Sequence, residues 1–179
     1  LPRRCSRLPE FSSGQAGRVC ATLLAMTDAI FDFPAAMAAN AAARPDHPAV
    51  ICGRDRLNWG AFIARAEKLA GTLADHGVKP GDSLVSIALS SVDYAVLWAA
   101  VLRLRATIAP LAPSSTPDQI AAMVADSGAQ FVFVDAPNRA EFGTVLAGKT
   151  LVDLDRLNSF IDPTAQPPAL APLDPAAGF

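Results

Sequence analysis

Between Ser83 and Leu154, short apolar runs alternate with longer stretches of helical character, and no other feature of the chain narrows its possible folds as far. "SLVSIAL" (Ser83 to Leu89) reads as a buried strand, "VDYAVLWAAVLRLR" (Val92 to Arg105) as a helix apolar on most of its faces, and "TIAPLA" (Thr107 to Ala112) as a second strand. A helix from Pro117 to Ser127 is announced by Thr116 with Gln119 three residues on, the spacing of a capping box, and is closed by Gly128. "AQFVFVD" (Ala129 to Asp135) and "KTLVDL" (Lys149 to Leu154) supply two more strands, the second after a weaker helix near Arg139 to Leu146. Strands separated by helices in this way describe βαβ crossovers. The expected fold class is α/β, a layered parallel sheet with helices on both faces.

Upstream of this region, "PAAMAANAAA" (Pro34 to Ala43) is Ala-rich with Pro at a first helical position, which predicts a short helix ended by Arg44-Pro45. "HPAVICGRDRLNW" reads as a β-hairpin about a Gly-Arg-Asp-Arg turn. Asn58 is placed to cap the next helix, whose Phe62, Ala66, Leu69 and Leu73 fall on one face, and Gly77 followed by Pro80 should stop it. After Phe160 the sequence turns to "IDPTAQPPALAPLDPAAGF", rich in Pro and Ala and without periodicity, which predicts an extended surface segment.

At the other end, Arg3, Arg4 and Arg7 precede "VCATLLAM", a run at the low end of length for a signal peptide. Met26 opens a stretch that reads as a natural beginning. The expected organisation is therefore an upstream extension without fixed structure over 1–25, a folded region over 26–160 and a Pro/Ala-rich extended segment over 161–179.

With 51% hydrophobic residues in 179, a sizeable core can be buried. Fifteen basic and seventeen acidic residues are well mixed, giving a net charge of −2, so there is no basic stripe to neutralise a phosphate backbone, and no nucleic acid is expected as a partner. Cys5, Cys20 and Cys52 fit neither a disulfide framework nor a metal knuckle, and a reducing, cytoplasmic setting fits best. No apolar run approaches the roughly 20 residues of a membrane span.

Residues that could carry chemistry are few. No G-x-G-x-x-G follows a predicted strand and no G-x-x-x-x-G-K-[ST] occurs, so neither a dinucleotide fingerprint nor a P-loop is present. "SSGQAG" has no strand before it. His47, between two prolines, and His76, in the last turn of a helix, have no ligand or nucleophile at useful spacing and read as surface or capping residues. Asp153 and Asp155 would share one face of a strand, but at a strand end acidic residues serve turns and caps. Ser114 and Ser115 lack a nucleophile elbow, and Thr116 is accounted for as a cap. Tyr94 and Trp98, four apart, read as packing residues. No catalytic, cofactor-binding or metal-binding residue is assigned.

One stretch carries a resemblance. "PDHPAVI", the "LNW" that opens the long helix, "GVKPGD", "SIALSSVDYAVLWAAVLRLRA", "IAPLAP" and "MVADSGAQFVFVD" follow in the order and spacing of the amino-terminal part of the adenylate-forming, AMP-binding enzymes. The similarity covers about Phe33 to Phe179. In two places the chain departs from the family: Ser90 stands where Asn is frequent, and Arg105 where Gly commonly precedes the third of these strands. Ahead of its serines "APLAPSSTPDQ" also lacks the Asp and Tyr-Pro that peptide-synthetase adenylation domains often show there, so the resemblance leans toward the acyl-CoA synthetase branch.

The resemblance implies an ATP-dependent ligase that activates a fatty or aromatic carboxylic acid through an acyl-adenylate, with magnesium, and passes the acyl group to coenzyme A. A carboxylate is a poor electrophile until its oxygen becomes a good leaving group, and the phosphates must be held by amides and cations. The family's phosphate loop and later catalytic motifs are not in this sequence. The expectation is therefore an amino-terminal portion that is inactive by itself and binds none of these molecules alone. The alternatives are a free-standing α/β nucleotide-binding or interaction module, and a peptide-synthetase adenylation domain.

Overall fold

Four of the apolar runs pair as one parallel sheet in the order β4-β3-β5-β6, in a computed structural model that describes residues 31–172. The strands are β3 (Ser83–Ile87), β4 (Thr107–Pro110), β5 (Phe131–Val134) and β6 (Thr150–Asp153). Readings for Leu1 to Ala25, Met26 and the last seven residues lie outside the described residues. Ahead of the sheet come α1 (Phe33–Ala43), an antiparallel hairpin of β1 (Pro48–Cys52) and β2 (Asp55–Asn58), and α2 (Trp59–Asp75). The crossovers are α3 (Val92–Arg103), α4 (Pro117–Ser127) and α5 (Ala136–Phe142), and a 3-10 turn (Leu154–Arg156) leads into the short α6 (Leu157–Phe160).

Because successive strand residues point to opposite faces, the sheet divides its apolar residues between two cores. Leu84, Phe133 and Val152 meet Phe62, Ala66, Leu69 and Leu73 of α2 and Val96, Leu97, Ala100 and Val101 of α3 on one face. Val85, Ile87, Val132 and Val134 meet Ile120 and Val124 of α4 and Phe142 on the other. Both faces are thus covered, as crossover helices require. The four α2 residues picked out by their spacing are all buried.

Several elements end earlier than their apolar runs. β3 stops at Ile87, and Leu89 is 71% exposed because its amide is taken by the Asp135 carboxylate instead of a strand. The helix read from Val92 to Arg105 is also shorter than expected: α3 closes at Arg103, with Leu104 as its cap. There the amides of Arg105 and Ala106 bond the carbonyls of Leu102 and Val101, a Schellman closure that needs a left-handed residue at position 105. α2 closes the same way, with Gly77 (φ +90) in the left-handed position and the amides of Gly77 and Val78 on Ala74 and Leu73. At Arg105 (φ 56) a side chain occupies that conformation, at about 1–2 kcal/mol of backbone strain.

The weak helix after β5 begins earlier than its apolar pattern, at Ala136, because Asp135 caps it and Pro137 occupies its first turn. The turn and α6 after β6 were not expected from periodicity. They are short, and their buried residues are only Leu154 and Leu157.

The segment from Ile161 to Pro172 has no regular structure, yet it is fastened along its length. Asp162 donates its amide to Thr72 Oγ1 at 2.9 Å. Lys68 Nζ donates to the Ala165 carbonyl (3.0 Å), Arg103 Nη2 to Pro168 (2.9 Å) and Arg105 Nε to Ala171 (3.0 Å). The backbone of Gln166 lies directly on Gly71 of α2, where a Cβ would stand 2.7 Å from its carbonyl carbon.

Candidate functional site

In an open parallel sheet, the place built to receive a ligand is where neighbouring strands send their crossovers in opposite directions, at the carboxyl ends. Here β3 and β5 are neighbours; the crossover through α3 leads from β3 to β4 on one side, and that through α5 leads from β5 to β6 on the other. The candidate site is therefore the crevice above the ends of β3 and β5.

Its floor and walls come from two loops. After β3, Ser91 caps α3 by accepting the Tyr94 amide at 3.0 Å. Ser86, buried on β3, shares a 3.1 Å hydrogen bond with the Tyr94 hydroxyl. After β5, the buried Asp135 accepts from the amide and the side-chain nitrogen of Asn138 (3.1 and 2.6 Å) through Oδ1 and from the Leu89 amide (3.0 Å) through Oδ2. One carboxylate thus caps α5 and ties the two loops together. Periodicity did not single out Asp135; the signal that marks it is the Asp-x-Pro of a helix start.

Farther along the same edge, Arg139, Asp153, Asp155 and Arg156 line an open cavity of about 460 Å³. Arg139 Nη1 pairs with Asp153 at 2.7 Å, and Asp155 accepts the Ala136 amide at 2.7 Å. The two acidic residues are engaged separately, one in an ion pair and one on a helix start. Among the described residues no three His, Cys, Asp or Glu side chains converge as a metal site would require.

The other residues weighed from the sequence lie apart. His47 is exposed, and its carbonyl accepts the Trp59 amide at the base of the hairpin. His76 caps α2 with Nδ1 2.8 Å from the Thr72 carbonyl, so that nitrogen carries the proton, and its ring lies 5.2 Å from that of Phe160. Ser114 and Ser115 sit in the turn before α4, where Thr116 and Gln119 form the expected capping box. Tyr94 faces the sheet through Ser86. Trp98 is 37% exposed and, with Met37, Val50, Trp59, Phe62 and Leu102, lines an open apolar groove of about 600 Å³. No helix among the described residues is long and apolar enough to cross a membrane.

Among the described residues two carboxyls are held below the usual range. For Asp32 the leading cause is the hydrogen-bonded guanidinium of Arg105, opposed by partial burial and assisted by the Ala35 amide. For Asp162 it is the hydroxyl and then the amide of Thr164. Neither group lies at the crevice, whose acids serve helix caps and one ion pair. As it stands it can position backbone and support a ligand held from elsewhere; no nucleophile and base meet in it.

A family model described as AMP-binding enzyme matches residues 37–176. Among curated proteins, a 4-coumarate–CoA ligase-like protein of Oryza sativa subsp. japonica is 31% identical over 145 residues, covering 72% of this chain and 24% of that protein. Bacitracin synthase 2 of Bacillus licheniformis is 30% identical over 117 residues, 65% of this chain and 4% of that protein. Among solved structures, a Mycobacterium tuberculosis fatty acyl CoA synthetase superposes with a TM-score of 0.69 at 19% identity, over 77% of this chain and 30% of that one, a likeness of fold. The chain thus spans under a third of the length of each of these proteins.

Proposed function

The chain belongs to the AMP-binding enzyme family, and on that premise we propose that it forms the framework part of an ATP-dependent ligase that activates a carboxylic acid for transfer to the thiol of coenzyme A. The observation that carries this reading is the family match over residues 37–176, which runs through the sheet and every helix packed on it. In the proposed reaction a carboxylate oxygen attacks the α-phosphorus of ATP, the bond to pyrophosphate breaks, and an acyl-adenylate forms. The thiolate of coenzyme A then attacks the acyl carbon, and AMP leaves with the carboxyl oxygen.

The described residues take part as scaffold. The acids at the crevice are committed to helix caps and an ion pair, and the loops they hold fix the carboxyl edge on which a bound nucleotide would rest. On this reading none of the described residues contacts the reacting atoms.

The acceptor is the finer part of the proposal. "APLAPSSTPDQ" has no Tyr-Pro and no Asp ahead of Ser114, unlike peptide-synthetase adenylation domains, and the 4-coumarate–CoA ligase-like relative aligns over 145 residues. The second reading, an adenylation domain of a peptide synthetase, is favoured by the 30% identity to bacitracin synthase 2. The deciding experiment uses the complete product of the encoding gene with a panel of fatty, aromatic and amino acids. Carboxylate-dependent exchange of labelled pyrophosphate into ATP is expected; its absence with every acid overturns adenylation. Thioester formation with free coenzyme A then supports the first reading, and acyl loading of a carrier-protein thiol alone supports the second.

A further inference from the structure

Arg105 is the only residue other than glycine with positive φ among the described residues. It occupies the left-handed position of a Schellman closure that α2 fills with Gly77, so the backbone at 105 has no need of a side chain. What the side chain does is join the two ends of the described region. Its Nη1 and Nη2 grip Asp32 Oδ1 and Oδ2 at 3.1 and 2.6 Å, and its Nε donates to the Ala171 carbonyl at 3.0 Å. The Arg105 side chain is only 10% exposed. Asp32 is itself the cap of α1, accepting the Ala35 amide. One planar fork, in strained backbone, therefore spans from the first helix cap to the end of the fastened segment.

That segment is read by more than Arg105. The carbonyls of Ala165, Pro168 and Ala171 receive Lys68, Arg103 and Arg105 respectively. A spacing of three residues is one turn of a polyproline II helix, whose carbonyls repeat on one side at that interval and have no internal partners. A row of cations on α2 and at the end of α3 thus meets one edge of a Pro-rich strap. Between these contacts Leu170, 36% exposed, lines a small cavity together with Met37, Ile63 and Ala66.

We propose that Arg105 is a positioning residue, a clasp that fixes the strap 161–172 and the cap of α1 to each other. The clasp is dispensable for folding and specific to the strap. Its test is the rate at which thermolysin cuts the intact 179-residue chain before Leu170, followed by mass spectrometry, beside the melting temperature. Arg105→Gly suits the left-handed backbone and removes all three donors; it is expected to speed that cleavage about tenfold, since cleavage follows the open population, while melting stays within a few degrees. Arg105→Lys keeps the charge but not the fork and should show a comparable gain. Asp32→Asn leaves the bond to Ala171 and should give a smaller one. Unchanged cleavage at Leu170 in both Arg105 variants overturns the clasp. So does a Gly variant that fails to fold, or one in which all sites open in step with a fallen melting temperature, because either makes Arg105 part of the general fold.

Discussion

The carboxylate of Asp135 accepts the backbone amide of Leu89 at 3.0 Å, joining the loop after β3 to the start of the helix after β5 across the switch point of the sheet. Because the same carboxylate also holds the amide of Asn138, one side chain supports both walls of the crevice.

Removing it should therefore weaken the fold by more than a lost surface cap. Asp135→Ala is expected to lower stability by about 2–3 kcal/mol, the sum of a missing helix cap and an amide at Leu89 left without its acceptor. Asp135→Asn keeps one acceptor oxygen and should lose about half as much. Urea unfolding followed by circular dichroism measures both, and equal stability of all three proteins would show that the Leu89 bond contributes nothing.

Gly71 sets a second condition, of space rather than charge. A Cβ there would meet the carbonyl carbon, oxygen and nitrogen of Gln166 at 2.7 to 2.9 Å. Backbone on both sides cannot yield, so Gly71→Ala should displace the strap even though alanine is the better helix former by about 1 kcal/mol. The expected net loss is about 1–3 kcal/mol, together with faster proteolysis between Ile161 and Pro172. A more stable variant with unchanged proteolysis would mean that the strap shifts without loss.

The Asp32 carboxyl is held low in the folded protein, first by the Arg105 guanidinium. A carboxyl with a depressed folded pKa binds its proton more readily in the unfolded chain. Its contribution is present above the unfolded value near about 3.9 and is lost as pH falls from there through the folded value. Thermal melts between pH 5 and 2 should thus fall more steeply for the wild type than for Asp32→Asn, whose side chain does not titrate. Parallel curves would show that the ion pair adds nothing to stability.

The apolar groove beside Trp98 should report itself directly. With Trp59, Phe62, Met37 and Leu102 it forms an open surface of one character, and a dye such as ANS is expected to bind the folded chain at neutral pH. Trp98→Ser should reduce that fluorescence severalfold and change stability by no more than about 1 kcal/mol, since the indole is 37% exposed. Undiminished fluorescence would place the dye elsewhere.

Much of this fold was legible because local rules and global packing agree over most of its length. The period of α2 named its buried face, and Asn58 and Thr116 cap the helices they precede, because a cap needs only a side-chain oxygen within three residues of the amide it serves. The alternation of strand and helix fixed the parallel sheet, since chirality and the length of a crossover leave few other arrangements. The family likewise lay in ordered landmarks. Strand order, by contrast, places β3 between β4 and β5, and no local pattern states that. The role of Asp135 depends on that order, for its partner Leu89 lies 46 residues away and becomes a neighbour only when β3 and β5 pair. Arg105 lies on the same side: read from the sequence as the last residue of a helix, it stands past the end of α3 in left-handed backbone, and its hold on Asp32 and Ala171 joins residues 73 and 66 positions distant. The Pro-rich segment, without periodicity, could be read only as extended. Its fastening was decided by the tertiary structure, because its hydrogen bonds use backbone carbonyls, which every residue has and no sequence distinguishes.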